Sequence, residues 1–190
     1  MSIVALRGPR AFSVVAVGFL VQSLFATLVP SLSFEQLTDT SELIVNGTVT
    51  RSWTAWDSEH KYIWTHYDLK VTSVLKGSPA ATVELAEPGG SLDGKTMIIA
   101  GTVNYAVGEN VVAFLSRMPN GYLRTTGWAQ GRYAVDAAGR IHSSAALGAE
   151  TIDAKTPSTG SSLRTLEGTS LSDLGTRIAA RLAAAKGGVK

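Results

Sequence analysis

Apolar and polar positions change their spacing several times along this chain, and each change marks a different kind of element. Ala11–Val29 is a nearly continuous apolar run, preceded by Arg7 and Arg10 and followed by Pro30, Ser31 and Ser33. Over Ser33–Ser41 the spacing predicts one or two helical turns, with Ser33 as the cap, Gln36 at the third helical position and Leu37 pointing inward. From Glu42 the texture turns to β. Leu43, Val45, Gly47 and Val49 fall on one face of a first strand, where the glycine suits a bend or a close approach of another backbone. In Tyr62–Val74, Ile63, Thr65, Tyr67, Leu69 and Val71 alternate with Tyr62, Trp64, His66, Asp68 and Lys70. The first set reads as core and the second as solvent-facing.

Further short strands follow at Thr82–Ala86, Thr96–Val103, Asn110–Arg117, Gly121–Thr126 and Gly131–Asp136. Turns at Pro88-Gly89-Gly90, Pro119-Asn120-Gly121 and Asp136–Gly139 separate them, and the last leads into Arg140-Ile141-His142. Residues 143–168, rich in Ser, Thr, Ala and Gly, have no period and read as a loop or linker. Residues 169–187 then form a helix, with Ser170 and Asp173 as capping box and Leu171, Leu174, Ile178 and Leu182 as its apolar stripe. The expected fold is mainly β: a small antiparallel barrel over 34–142, OB-like, with a short N-terminal helical turn and a docked C-terminal amphipathic helix.

Charge changes the picture only once the leader is set apart. The chain of 190 residues carries a net charge of +2, and Arg7 and Arg10 supply that excess, which leaves 15 basic and 15 acidic residues after residue 33. A neutral mature domain is a poor binder of phosphate backbones, so nucleic acid is not an expected partner. Residues 1–33 have the order of a secretory signal peptide, a basic start, an apolar run and small residues. Cleavage after Ser31 and cleavage after Ser33 both fit, and only the first would keep the Ser33 cap. The rival reading is a retained anchor, because nineteen residues just span a bilayer. Export to the periplasm or beyond is the expectation, with the membrane met only through the uncleaved leader. The chain has no cysteine, which rules out disulfides, thiolate zinc sites and cysteine nucleophiles.

The order Leu43-Ile44-Val45-x-Gly47-x-Val49, Thr65-x-Tyr67-x-Leu69-x-Val71-x-x-Val74-Leu75-Lys76-Gly77, Val107-Gly108-Glu109-x-Val111-Val112-x-Phe114-Leu115 and Gln130-Gly131-Arg132-Tyr133-x-Val135 carries a resemblance. Over residues 34–136 the chain resembles a group of uncharacterised exported bacterial proteins with a small OB-fold-like barrel. The resemblance implies that fold and that compartment, and it brings no catalytic residue or cofactor.

Candidate chemistry is sparse. His66 and Asp68 share a strand face and are the nucleus of an alternative reading, a hydrolase with a dispersed polar or metal site joined by His60 or His142. An extended strand would put His60 about 20 Å from His66, at ~3.3 Å per residue, so the metal form of that reading needs a bend. Ser73-Val74-Leu75-Lys76 matches Ser-x-x-Lys, a pattern that works on a helical turn and sits here on a strand. No catalytic residue, metal ligand or cofactor is therefore assigned. The densest signal is aromatic: Trp53, Trp56, Tyr62 and Trp64 fall within twelve residues, beside His66. These five are the expected binding residues of a non-catalytic exported module, with a protein partner or an envelope glycan as ligand. The competing reading puts the rings over the barrel end or beneath the terminal helix.

Overall fold

The computed structural model describes residues 31–143 and 166–187. Its elements are α1 (Phe34–Thr40), β1 (Leu43–Trp56), β2 (Ile63–Lys76), β3 (Thr82–Pro88), β4 (Gly90–Leu92), β5 (Lys95–Met97), β6 (Asn110–Arg117) and β7 (Leu123–Thr125). A 3-10 turn (Trp128–Gly131), β8 (Arg132–Val135), β9 (Ile141–Ser143) and α2 (Leu171–Gly187) complete them. The main sheet runs β3-β2-β1-β6-β8-β9, with β7 also on β6, while β4 and β5 form a separate hairpin. Every pairing is antiparallel. The leader lies outside the described residues except for its last three, and residues 144–165 of the expected loop also lie outside them.

Two cores explain why the strands have these sequences. Val45, Val49, Tyr67, Leu69, Val111, Ala113 and Leu115 fill the inner side of the sheet. Ile44, Val112, Phe114, Tyr133 and Ile141 point the other way and meet Phe34 and Leu37 of α1 and Leu174 and Ile178 of α2. Strand β6 is thus buried on both faces, which is why Val111–Leu115 is an apolar run without alternation. The terminal helix uses the expected stripe, with Leu171 and Leu182 partly buried at its margins. It packs on the outer core, which includes no tryptophan.

Both helices are pinned at their ends. Ser33 accepts the Gln36 N–H while its own N–H donates to the Gln36 side chain, so the capping box is complete. At the other end of α1 the Lys76 ammonium donates to the carbonyls of Thr38 (2.7 Å) and Asp39 (3.1 Å), where a cation complements the helix dipole. Arg181 of α2 reaches Asp39 through its Nε at 3.0 Å.

The expected mainly β, antiparallel architecture with a helix at each end is present, but among the described residues no hydrogen-bonded ladder closes the sheet into a barrel. Strands β3 and β7 lie side by side without a ladder. A side chain bridges them instead: the Thr125 N–H donates to Glu87 Oε1 at 2.8 Å. Glu87 is 1% exposed, and burial pushes its carboxyl above the usual range, opposed by the hydrogen bond from Thr125 and the charge of Arg124.

Three expectations need correction. The strand over Thr96–Val103 survives only in β5, because Gly89 and Gly90 turn the chain out into the β4–β5 hairpin and Thr102 folds back on Ile99. Ile98 is left 82% exposed, and the chain regains the core at Val103 and Tyr105. Leu166, placed in a loop by its surroundings, is fully buried in the outer core. Gly168 and Thr169 next to it exchange backbone hydrogen bonds with Ile141 and cover the β9 edge. Finally, His66 is not solvent-facing but 5% exposed.

Candidate binding face

The register of the long β1–β2 hairpin builds the face. Trp53 pairs with His66, Thr54 with Thr65 and Ala55 with Trp64, so Trp53, Trp64 and His66 share the side of the sheet opposite the inner core. Strand β7, the turn that precedes it and the 3-10 turn bring Arg124, Tyr122 and Trp128 to the same side.

The result is a continuous ladder of planes. The Arg51 guanidinium lies 4.0 Å from the Trp53 ring centre, and Trp53 stacks on His66 at 5.2 Å and 14°. Tyr122 meets His66 edge-on at 5.2 Å and Trp64 at 5.1 Å. Arg124 lies 5.8 Å from Trp64 and 4.5 Å from Trp128, closing the row. Trp53, Trp64, Tyr122 and Trp128 are partly buried, so the row offers surface to solvent, while the Arg124 side chain is only 12% exposed. These aromatic and cation–π contacts lie outside both cores.

Charged groups anchor the ladder at three points. Arg51 pairs with Asp68 at 2.9 Å. His66 Nδ1 lies 2.9 Å from Glu84 Oε1; an ionised carboxylate only accepts, so Nδ1 carries the proton. His66 Nε2 is buried with no hydrogen-bond partner among the described residues. Arg124 lies 3.5 Å from Glu87, a long electrostatic contact that ties the face to the seam between β3 and β7. Next to Tyr122 a groove of about 260 Å³ runs between β3 and the β6–β7 turn, edged by Glu84 and Arg117.

Of the five expected binding residues, the structure joins Trp53, Trp64 and His66. Trp56 belongs to a neighbouring cluster: its indole N–H donates to Asp93 at 3.0 Å, with His60 stacked at 6.2 Å and Lys95 5.2 Å from the ring. Tyr62 stands in the β1–β2 connection, 52% exposed. Arg51, Tyr122, Arg124 and Trp128 were not expected. Trp128 carried one local sign, since it follows Gly127; both adopt positive φ, which for a tryptophan is strained.

Two residues of the hydrolase reading each have an ionic partner. Asp68 is held by Arg51 and His66 by Glu84. Lys76 is committed to α1, where its ammonium donates to two helix carbonyls. Among the described residues no three or more His, Cys, Asp or Glu side chains converge as a metal would need.

His142 has a structural task. Its Nε2 lies 3.0 Å from Asp136 and its Nδ1 2.9 Å from Glu167, clamping β9 to the segment leading into α2. The hydrogen bond to Asp136, and then that to Glu167, raises the His142 pKa above its ordinary 6.5. Asp136 is lowered chiefly by His142, and Glu167 chiefly by the Ser143 N–H. A raised histidine stabilises the fold fully below its unfolded value and loses that contribution as pH rises through the folded value. The lowered carboxylates act oppositely, losing theirs as pH falls through their folded values. The clamp is therefore tightest between the carboxylate and histidine ranges and loosens above them. An NMR titration is expected to place His142 above 6.5 in the native chain and nearer to it in Asp136→Asn. An unshifted native value would contradict the clamp.

Comparison with protein-family models and with curated proteins finds no match to this chain.

Proposed function

We propose that this chain is an exported, non-catalytic binding module that holds a protein partner on the Arg51–Trp128 ladder. One observation carries the reading: three of the four tryptophans lie in a partly exposed row that belongs to neither core. Three tryptophans, a tyrosine and two arginines are the residue types that dominate binding energy at protein interfaces. Their planes are already packed against one another, stacked or edge-on, so little side-chain freedom is lost when a partner arrives. Export is supported by the order of Arg7, Arg10, Ala11–Val29 and the small residues after it. Among the described residues no helix is long and apolar enough to cross a membrane.

A photoreactive residue at Lys70, exposed on the same strand face as Trp64 and His66, tests the partner class. Compared in cells with the same group at Lys186 on the far end of α2, it is expected to give a discrete protein adduct that Lys186 does not give. An adduct destroyed by glycan-cleaving enzymes and not by protease would make the ligand an envelope glycan instead. Absence of any adduct specific to Lys70 would remove the reading.

A further inference from the structure

We propose that leader processing cuts the Ser31–Leu32 bond, and that the fold holds a built socket for the amino group released there; this rests on the export reading above. The sequence admits a cut after Ser31 or after Ser33, and the fold separates the two. Ser31 is exposed, whereas Leu32 packs against the outer core. The Leu32 N–H donates to Gln130 Oε1 at 2.6 Å. Gln130 is 3% exposed, and its own amide donates to the Gly127 carbonyl at 3.1 Å, which fixes its oxygen toward Leu32. Gly127 has φ 65°, and a Cβ there would lie 2.7 Å from Leu32 Cδ1, so the absence of a side chain makes room for the leucine. The next residue, Ser33, completes the capping box of α1.

Water supplies hydroxide to the Ser31 carbonyl carbon, the C–N bond breaks, and the Leu32 nitrogen takes up protons to become an ammonium while Ser31 leaves as a carboxylate. The new ammonium keeps a donor where the amide N–H now points, and the neutral carbonyl oxygen of Gln130 accepts it without a change of geometry. A cut after Ser33 would instead discard the helix cap and the leucine, and leave the buried Gln130 oxygen without the Leu32 donor.

The full chain, leader included, is to be produced in a bacterial host, purified from the exported fraction, and read by N-terminal sequencing and intact mass. The expected first residue is Leu32. A chain beginning at Phe34, or at any other mature-region residue, overturns the socket while leaving export standing. A chain that keeps residues 1–31 overturns the export reading itself. Gln130→Ala in the same full chain is expected to be processed yet to melt several degrees lower; an unchanged midpoint would show that the socket holds nothing.

Discussion

Gly47→Ala is expected to destabilise the domain by about 3 kcal/mol, at the upper end of what an extra methyl in a packed interior does. Gly47 is in the central strand β1, paired with Val71 on one side and Val111 on the other. A Cβ there would lie 2.4 Å from the Lys70 carbonyl oxygen and 3.1 Å from Leu69 Cγ. The clash is with backbone, so no rotamer change relieves it, and β1 and β2 must separate. The register shift between Asn46 and Gly47 marks the place where β2 crosses so closely. For a domain of this size the loss lowers the melting midpoint by roughly 2–4 °C per kcal/mol, hence about 10 °C. Gly175→Ala on α2 is the paired control. Its Cβ would make an ordinary 3.5 Å contact with Leu75, and alanine favours a helix interior by about 0.5–1 kcal/mol. Thermal melts of the two variants should therefore move in opposite directions. An unchanged midpoint for Gly47→Ala would mean that the β1–β2 contact yields freely.

The second large effect concerns binding. In a Trp53→Leu/Trp64→Leu double variant, leucine keeps apolar volume on the strand face and removes the ring planes. The fold loses the Arg51–Trp53 and Arg124–Trp64 contacts, roughly 0.5–1 kcal/mol each at exposed sites, and the ring pairs with His66 and Tyr122, about 0.5–1.5 kcal/mol each. Leucine recovers part of that by burial, so a net loss of about 2 kcal/mol leaves the domain folded. A partner seated on the ladder loses more, since each tryptophan at the centre of an interface is worth about 2 kcal/mol or more, or roughly 30-fold in affinity.

The fold was largely legible because its elements are local. Asn110–Arg117 matches β6 end to end, and the Ser33–Gln36 capping box and the Leu171–Leu182 stripe follow from spacing alone. The ladder was only half legible. Trp53 and Trp56 are neighbours in sequence, but three positions along a strand place them on opposite faces, and Trp56 pairs with the buried Ile63. Alternation along β2 identified the face of His66 and misjudged its exposure. The side chain that roofs it, Tyr122, comes 56 positions later from a different hairpin. Arg124 and Trp128 arrive the same way, through a pairing between β6 and β7 that no spacing within β1 or β2 encodes.

The claim at the centre is that the ladder serves a partner rather than the fold, and one measurement addresses it directly. The Lys70 photo-adduct yield of the Trp53→Leu/Trp64→Leu variant is to be measured beside wild type, with both melting midpoints recorded. The variant is expected to stay folded, within roughly 10 °C of wild type, while its adduct falls by at least about 30-fold. A variant that keeps the same adduct, or one that no longer folds, would contradict that claim.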